Sequence, residues 1–81
     1  MVLREIGRFN YKDYEFIILE SKEKEKEGKT LYNYWITIKS GGMIDYIIGE
    51  YERNTAEEIW NYILYYGLKY YINRFEGIEE E

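Results

Sequence analysis

Residues 54–77, NTAEEIWNYILYYGLKYYINRFEG, decide the fold, because they read as a helix long enough to cover a sheet. Thr55 is followed three residues later by Glu58, the spacing of a capping box, and Asn54 with Glu57 repeats it one residue earlier. Glu57 and Glu58 also put negative charge where the helix dipole favours it. At about 100° per residue, Ala56, Ile59, Trp60, Ile63, Leu64, Gly67, Tyr70, Tyr71 and Phe75 share one broad side. Glu58, Asn61, Tyr62, Tyr65, Lys69, Asn73 and Glu76 share the other, and Gly77 is a stop signal. One helix is expected over about 55–76.

Two details of that stretch carry information. Gly67 sits inside the helix at a cost of roughly 1 kcal/mol against alanine, which close approach of the helix backbone to a sheet would offset. The apolar arc also covers roughly half the circumference, wider than the ~100° stripe of an ordinary surface helix. Either the sheet wraps the helix or a second chain covers one flank. Tyr62, Tyr66 and Tyr70, spaced by four, read as an amphipathic flank with hydroxyls in water.

Upstream, the chain breaks into strands. Residues 2–9 (VLREIGRF) give a first strand, and Asn10 to Asp13 a turn. Residues 14–21 (YEFIILES) are apolar on both faces, with Tyr14, Phe16 and Ile18 on one and Ile17 and Leu19 on the other, as in a central strand. Residues 22–29 (KEKEKEGK) alternate in charge and read as a solvated hairpin tip. Residues 30–39 alternate cleanly: Tyr32, Tyr34, Ile36 and Ile38 against Leu31, Asn33, Trp35, Thr37 and Lys39. Ser40-Gly41-Gly42 then turns the chain into a strand over 43–52. A three-residue loop pairs Ile38 with Ile44, Ile36 with Tyr46 and Tyr34 with Ile48, keeping the apolar set together. The expected fold is α+β: a four-stranded antiparallel meander (ββββ) followed by one long C-terminal helix, packed on the face of Tyr34, Ile36, Ile38, Ile44, Tyr46 and Ile48. The chain is one domain, and residues 78–81 form a solvated acidic tail.

Composition excludes several function classes. The 81 residues hold no Cys and no His, so disulfides, thiol chemistry, Ser-His-Asp sets and the commonest metal ligands are missing. The glycines form no phosphate-cradling motif. A carboxylate pair such as Asp45 with Glu50 is conceivable for acid–base work, but most Glu residues fall in solvated segments, and a domain this size has little room for a cleft. No enzymatic activity, cofactor or metal is expected. Signal-peptide and membrane-span patterns are absent, which points to the cytoplasm, or a host cytoplasm for a viral protein. Absence of Pro, Cys, His and Gln, with abundant Glu, Lys, Ile and Tyr, resembles the residue usage of heat-loving archaea and their viruses, a bias that a strongly AT-rich mesophile or phage would share.

The face opposite the helix should be polar in a one-sided antiparallel sheet, yet it carries Leu31, Trp35, Met43, Ile47 and Tyr51. Apolar faces of that kind mark interfaces, with Trp the favoured anchor. The primary expectation is a non-enzymatic protein-interaction module: a homodimer, or a partner of a host or cellular protein, such as an acidic inhibitor of a nucleic-acid-handling protein. The alternative is single-stranded nucleic-acid binding through Arg4, Arg8, Tyr32, Tyr34 and Lys39, whose types suit base stacking and phosphate contact. Net charge of −5 weighs against it.

Overall fold

The computed structural model describes residues 2–40 and 43–76. Five strands form one antiparallel sheet: β1 (Leu3–Tyr11), β2 (Tyr14–Ser21), β3 (Lys24–Lys26), β4 (Lys29–Ile38) and β5 (Asp45–Tyr51). Their order is β1-β2-β4-β3, with β5 also paired to β4. The fifth strand corrects the expected four. β2 meets β4 from Phe16–Ile38 to Glu20–Tyr34, and β3 then meets β4 from Lys24–Leu31 to Lys26–Lys29. β3 is therefore the distal end of one long hairpin, separated from β2 by Lys22 and Glu23. Glu27 and Gly28 turn it with φ of 52° and 76°, the doubly positive pair that matches strand twist. The charged segment is thus paired backbone carrying exposed side chains. Likewise β1 runs on through Asn10 and Tyr11, and only Lys12-Asp13 turns it into β2.

The β4–β5 register also departs from expectation. Tyr34 faces Ile48, but Trp35 faces Tyr46 and Ile36 faces Asp45. β5 holds two extra residues, one near Ile47 and one near Gly49-Glu50, and each bulge shifts the pairing by one. Glu50 takes φ 58° at the second bulge, where its N–H donates to Asn33 Oδ1 at 2.9 Å. Tyr46 consequently moves to the face away from the helices, while Ile47 packs against the helix-side core. Ile44 and Tyr46 are about half exposed and do not form the helix seat that the unbulged register implies. Gly41 and Gly42 of the expected loop, Gly77 and the acidic tail lie outside the described residues.

The single long helix is two: α1 (Ala56–Tyr66) and α2 (Leu68–Glu76). Thr55 caps α1, its hydroxyl accepting from Glu58 N–H while Glu58 accepts from Thr55 N–H, a complete capping box. Gly67 ends α1 at φ 156°, its N–H bonded to Ile63 O at 3.0 Å. The reason for the break lies in the apolar phase. Ala56, Ile59, Trp60 and Ile63 form an i, i+3, i+4, i+7 stripe, and Leu68, Tyr71, Ile72 and Phe75 form a second. On an unbroken helix the two stripes would point about 120° apart. The break at Gly67 lets both face the sheet, so the wide apolar arc is the superposition of two ordinary stripes. Leu68 is buried, whereas Leu64 and Tyr70, expected inside, are about half exposed.

Core packing follows. Phe16, Ile18, Tyr34 and Ile36 from the sheet meet Ile59, Ile63 and Leu68 from the helices. Trp60 stacks on Phe9 at 5.0 Å and tilts onto Phe16, which also meets Phe75. The close approach expected at Gly67 occurs instead at Gly7, where an added Cβ would sit 2.5 Å from Ala56 Cβ. At Gly67 an added Cβ meets only Tyr70 Cβ, at 3.5 Å.

Candidate functional site

The helices cover one sheet face, leaving the other to be built up from cross-strand pairs. Leu19 pairs with Trp35, Ile17 with Thr37 and Trp35 with Tyr46, so Ile17, Leu19, Trp35 and Tyr46 share that open face. Trp35 and Tyr46 meet edge to face, with ring centroids 5.6 Å apart. The Tyr46 hydroxyl lies where a side chain on Gly49 would be, so the absence of a Cβ there lets the phenol ring lie along the strand. Toward β1 and the first residues of β2, this face has a charged border. Arg8 donates to both oxygens of Glu5 at 2.8 Å and to Glu15 at 3.1 Å, and Lys39 stands 3.7 Å from Glu15. Hydrogen bonding from Arg8 holds the Glu5 carboxyl below the usual range, opposed by desolvation and aided by the Arg8 charge. Surface pairs of this kind orient side chains and add little stability.

On the helix side, beyond the N-terminus of α1, stands a second cluster. Glu20 follows Phe16 and Ile18 on the inward face of β2 and is 1% exposed. Its Oε1 accepts from Arg4 at 2.6 Å and from Arg53 at 3.2 Å, and its Oε2 accepts from the Tyr34 hydroxyl at 2.9 Å. Tyr34 oxygen in turn accepts from Asn54 N–H at 2.9 Å. Burial works to raise the Glu20 pKa, but hydrogen bonds from Arg53, Tyr34 and Arg4 outweigh it, and the carboxyl ends below its ordinary value. Burial, with the Glu20 charge, pushes the Tyr34 phenol up to about 12, so it remains a donor at neutral pH. Arg53 also lies over the Tyr32 ring, 5.2 Å from its centroid. Outside the cluster, Arg4, Tyr32 and Arg53 line a cleft of about 530 Å³.

The residues singled out from sequence scatter. Of the five expected interface residues, Leu31 and Trp35 alternate onto the open face, Leu31 buried and Trp35 partly exposed. Met43 is about half exposed, 3.8 Å from Arg74 Nη2. Ile47 packs toward the helices, and Tyr51 pairs with Tyr32. The two bulges in β5 account for the displacement of Ile47 and Tyr51. Of the nucleic-acid set, Arg4, Tyr32 and Tyr34 gather around Glu20, whereas Arg8 and Lys39 converge on Glu15 across the sheet. These cations divide between two faces, and Arg4, Arg8 and Lys39 each stand beside a carboxylate. Asp45 contacts Arg74 while Glu50 contacts Lys26, so the conceivable carboxylate pair is not assembled. Tyr46, Glu20 and Arg53 escape a pattern-based reading. Only Glu20 leaves a signal, as an acid in phase with the buried Phe16 and Ile18.

Tyrosines line the outer flank of α1, Tyr65 and Tyr66 exposed and Tyr62 partly so, with Tyr62 and Tyr65 both packed on Tyr66 at 4.5 and 4.6 Å between centroids. Among the described residues no group of three or more acidic side chains could hold a metal ion, and no helix is long and apolar enough to cross a membrane. Comparison with known protein families, curated proteins and solved structures gives no match.

Proposed function

We propose that this chain is a non-enzymatic interaction module that pairs with a second copy of itself through the open sheet face. The observation that carries the reading is the Trp35–Tyr46 pair, standing with Ile17 and Leu19 on a face that neither helix covers. An antiparallel sheet with one free face ordinarily shows polar residues there. Aromatic anchors on such a face are the usual centre of an interface.

Two features favour a second copy as the occupant. The border alternates in sign, Glu5, Arg8, Glu15 and Lys39, so a two-fold axis can bring each charge against its opposite. The size is compatible: the whole outline of the molecule, an ellipse on its 41 and 25 Å extents, is about 800 Å², so an interface of standard size would occupy this entire face.

The two tryptophans provide the test. Trp35 is on the open face, while Trp60 is stacked on Phe9 among the core aromatics. On dilution from millimolar to nanomolar protein, the Trp35 indole N–H resonance or its fluorescence should change while that of Trp60 stays fixed. Invariance of both would remove the reading.

A further inference from the structure

The chain carries net charge −5, yet the cleft above Glu20 is lined by three cations, Arg4, Lys22 and Arg53, against Glu20 and Glu23. Its volume, about 530 Å³, lies within the usual size of small-molecule sites. The two arginines are held in place. Both place a terminal nitrogen on one buried oxygen, Glu20 Oε1, so those nitrogens are at most about 5.8 Å apart. Each guanidinium commits a single N–H to that contact, and neither makes another hydrogen bond among the described residues. The remaining four donors of each are free for a ligand. Arg8 differs, since three of its nitrogens already face Glu5 and Glu15.

The shape of this donor set selects its ligand. A planar carboxylate suits one guanidinium fork. Two guanidiniums converging on a single point, Arg4 from β1 and Arg53 from the segment between β5 and α1, suit a tetrahedral anion, which can offer separate oxygens to each. Glu20 itself is an unfavourable neighbour for an anion, but its Oε1 is capped by both arginines and its Oε2 by Tyr34. Val2 and the Tyr32 ring supply an apolar wall beside the cations. We propose that this cleft binds a phosphate monoester, with the phosphoryl group bridging Arg4 and Arg53 and the organic group against Val2 and Tyr32. This is independent of self-association, because the cleft lies on the helix side of the sheet.

Titration of ¹⁵N-labelled protein with inorganic phosphate and with phenyl phosphate, each against chloride at matched ionic strength, tests the assignment. Saturable shifts should appear at Arg4, Ser21, Lys22, Tyr32 and Arg53, with millimolar affinity for inorganic phosphate and tighter binding of phenyl phosphate. Arg53→Lys keeps the charge but loses the planar fork, and should weaken binding about tenfold with the spectrum otherwise preserved. Shifts that never saturate, or that are as large at Arg8 and Lys39 as in the cleft, overturn the site. Phenyl phosphate binding no tighter than inorganic phosphate overturns the monoester assignment. The wild-type map decides the question even if Arg53→Lys does not fold.

Discussion

Removing one oxygen atom, by Tyr34→Phe, tests how the sheet is tied to the start of α1. Tyr34 is fully buried, and its hydroxyl links Glu20 Oε2 on β2 to the Asn54 N–H just before the helix, both at 2.9 Å. Phenylalanine keeps the ring in the core, so no sizeable cavity forms and the hydroxyl alone is lost. A hydrogen bond to a charged acceptor contributes about 1.5–3 kcal/mol. The Asn54 N–H loses its partner too, but Asn54 is partly exposed and water can replace the phenol, so this adds toward the lower end of about 1–3 kcal/mol. These contributions overlap, and the expected loss is about 2–3 kcal/mol. For a domain of this size each kcal/mol shifts Tm by about 4–8 °C, so the midpoint should fall by roughly 8–24 °C. Urea unfolding followed by circular dichroism at neutral pH gives the free energy directly, with an unchanged slope expected because the same surface is exposed. Wild type and variant are compared at equal protein concentration, since a dimer's stability depends on it. A loss below about 0.5 kcal/mol would refute the bridge as a stabilising link.

Three further outcomes are expected. Gly67→Leu should destabilise by about 1–3 kcal/mol in urea unfolding, because φ 156° is strained for any residue with a Cβ; a rise in Tm would contradict the helix break. Gly7→Val should cost about 1–3 kcal/mol or more through collision with Ala56 Cβ, and an unaffected midpoint would mean that α1 does not press on β1 there. The third outcome concerns acid. The Glu20 carboxyl is lowered in the folded state, so its contribution is complete above the ordinary carboxylate range and is lost as pH falls through the folded value. Glu20→Gln should therefore be less stable than wild type at neutral pH, with the gap closing in acid. Stability curves that stay parallel across that range would exclude Glu20 as the titrating group.

The sequence reveals much of this architecture and hides its irregularities for definite reasons. The capping pair Thr55 and Glu58 and the alternation of Tyr34, Ile36 and Ile38 are local patterns, and local patterns survive into the structure. The helix break leaves a trace in the overly wide arc, but Gly67 within that arc reads as a close-contact glycine, whereas the structure uses it as an interruption. Separating Ala56–Ile63 from Leu68–Phe75 into two stripes accounts for the interruption. The β5 bulges left no trace, because Tyr46, Ile47 and Ile48 are all apolar and tolerate a one-residue slip. β3 was hidden by composition, since Lys24, Glu25 and Lys26 lack strand propensity and pair through backbone and a favourable turn. The Glu20 cluster draws Arg4 and Arg53 from 16 and 33 residues away, a convergence that no local pattern encodes.

The central claim, self-association through Trp35 and Tyr46, is tested most directly by solution mass. Light scattering on wild type and on Trp35→Glu should be run at micromolar concentration, with circular dichroism to establish that both are folded and Tyr46→Glu as a second variant. Wild type should show twice the 10.0 kDa chain mass, and at least one folded variant should show the chain mass itself. A wild type that remains at the single-chain mass, or folded Trp35→Glu and Tyr46→Glu proteins that both remain dimers, would contradict the claim.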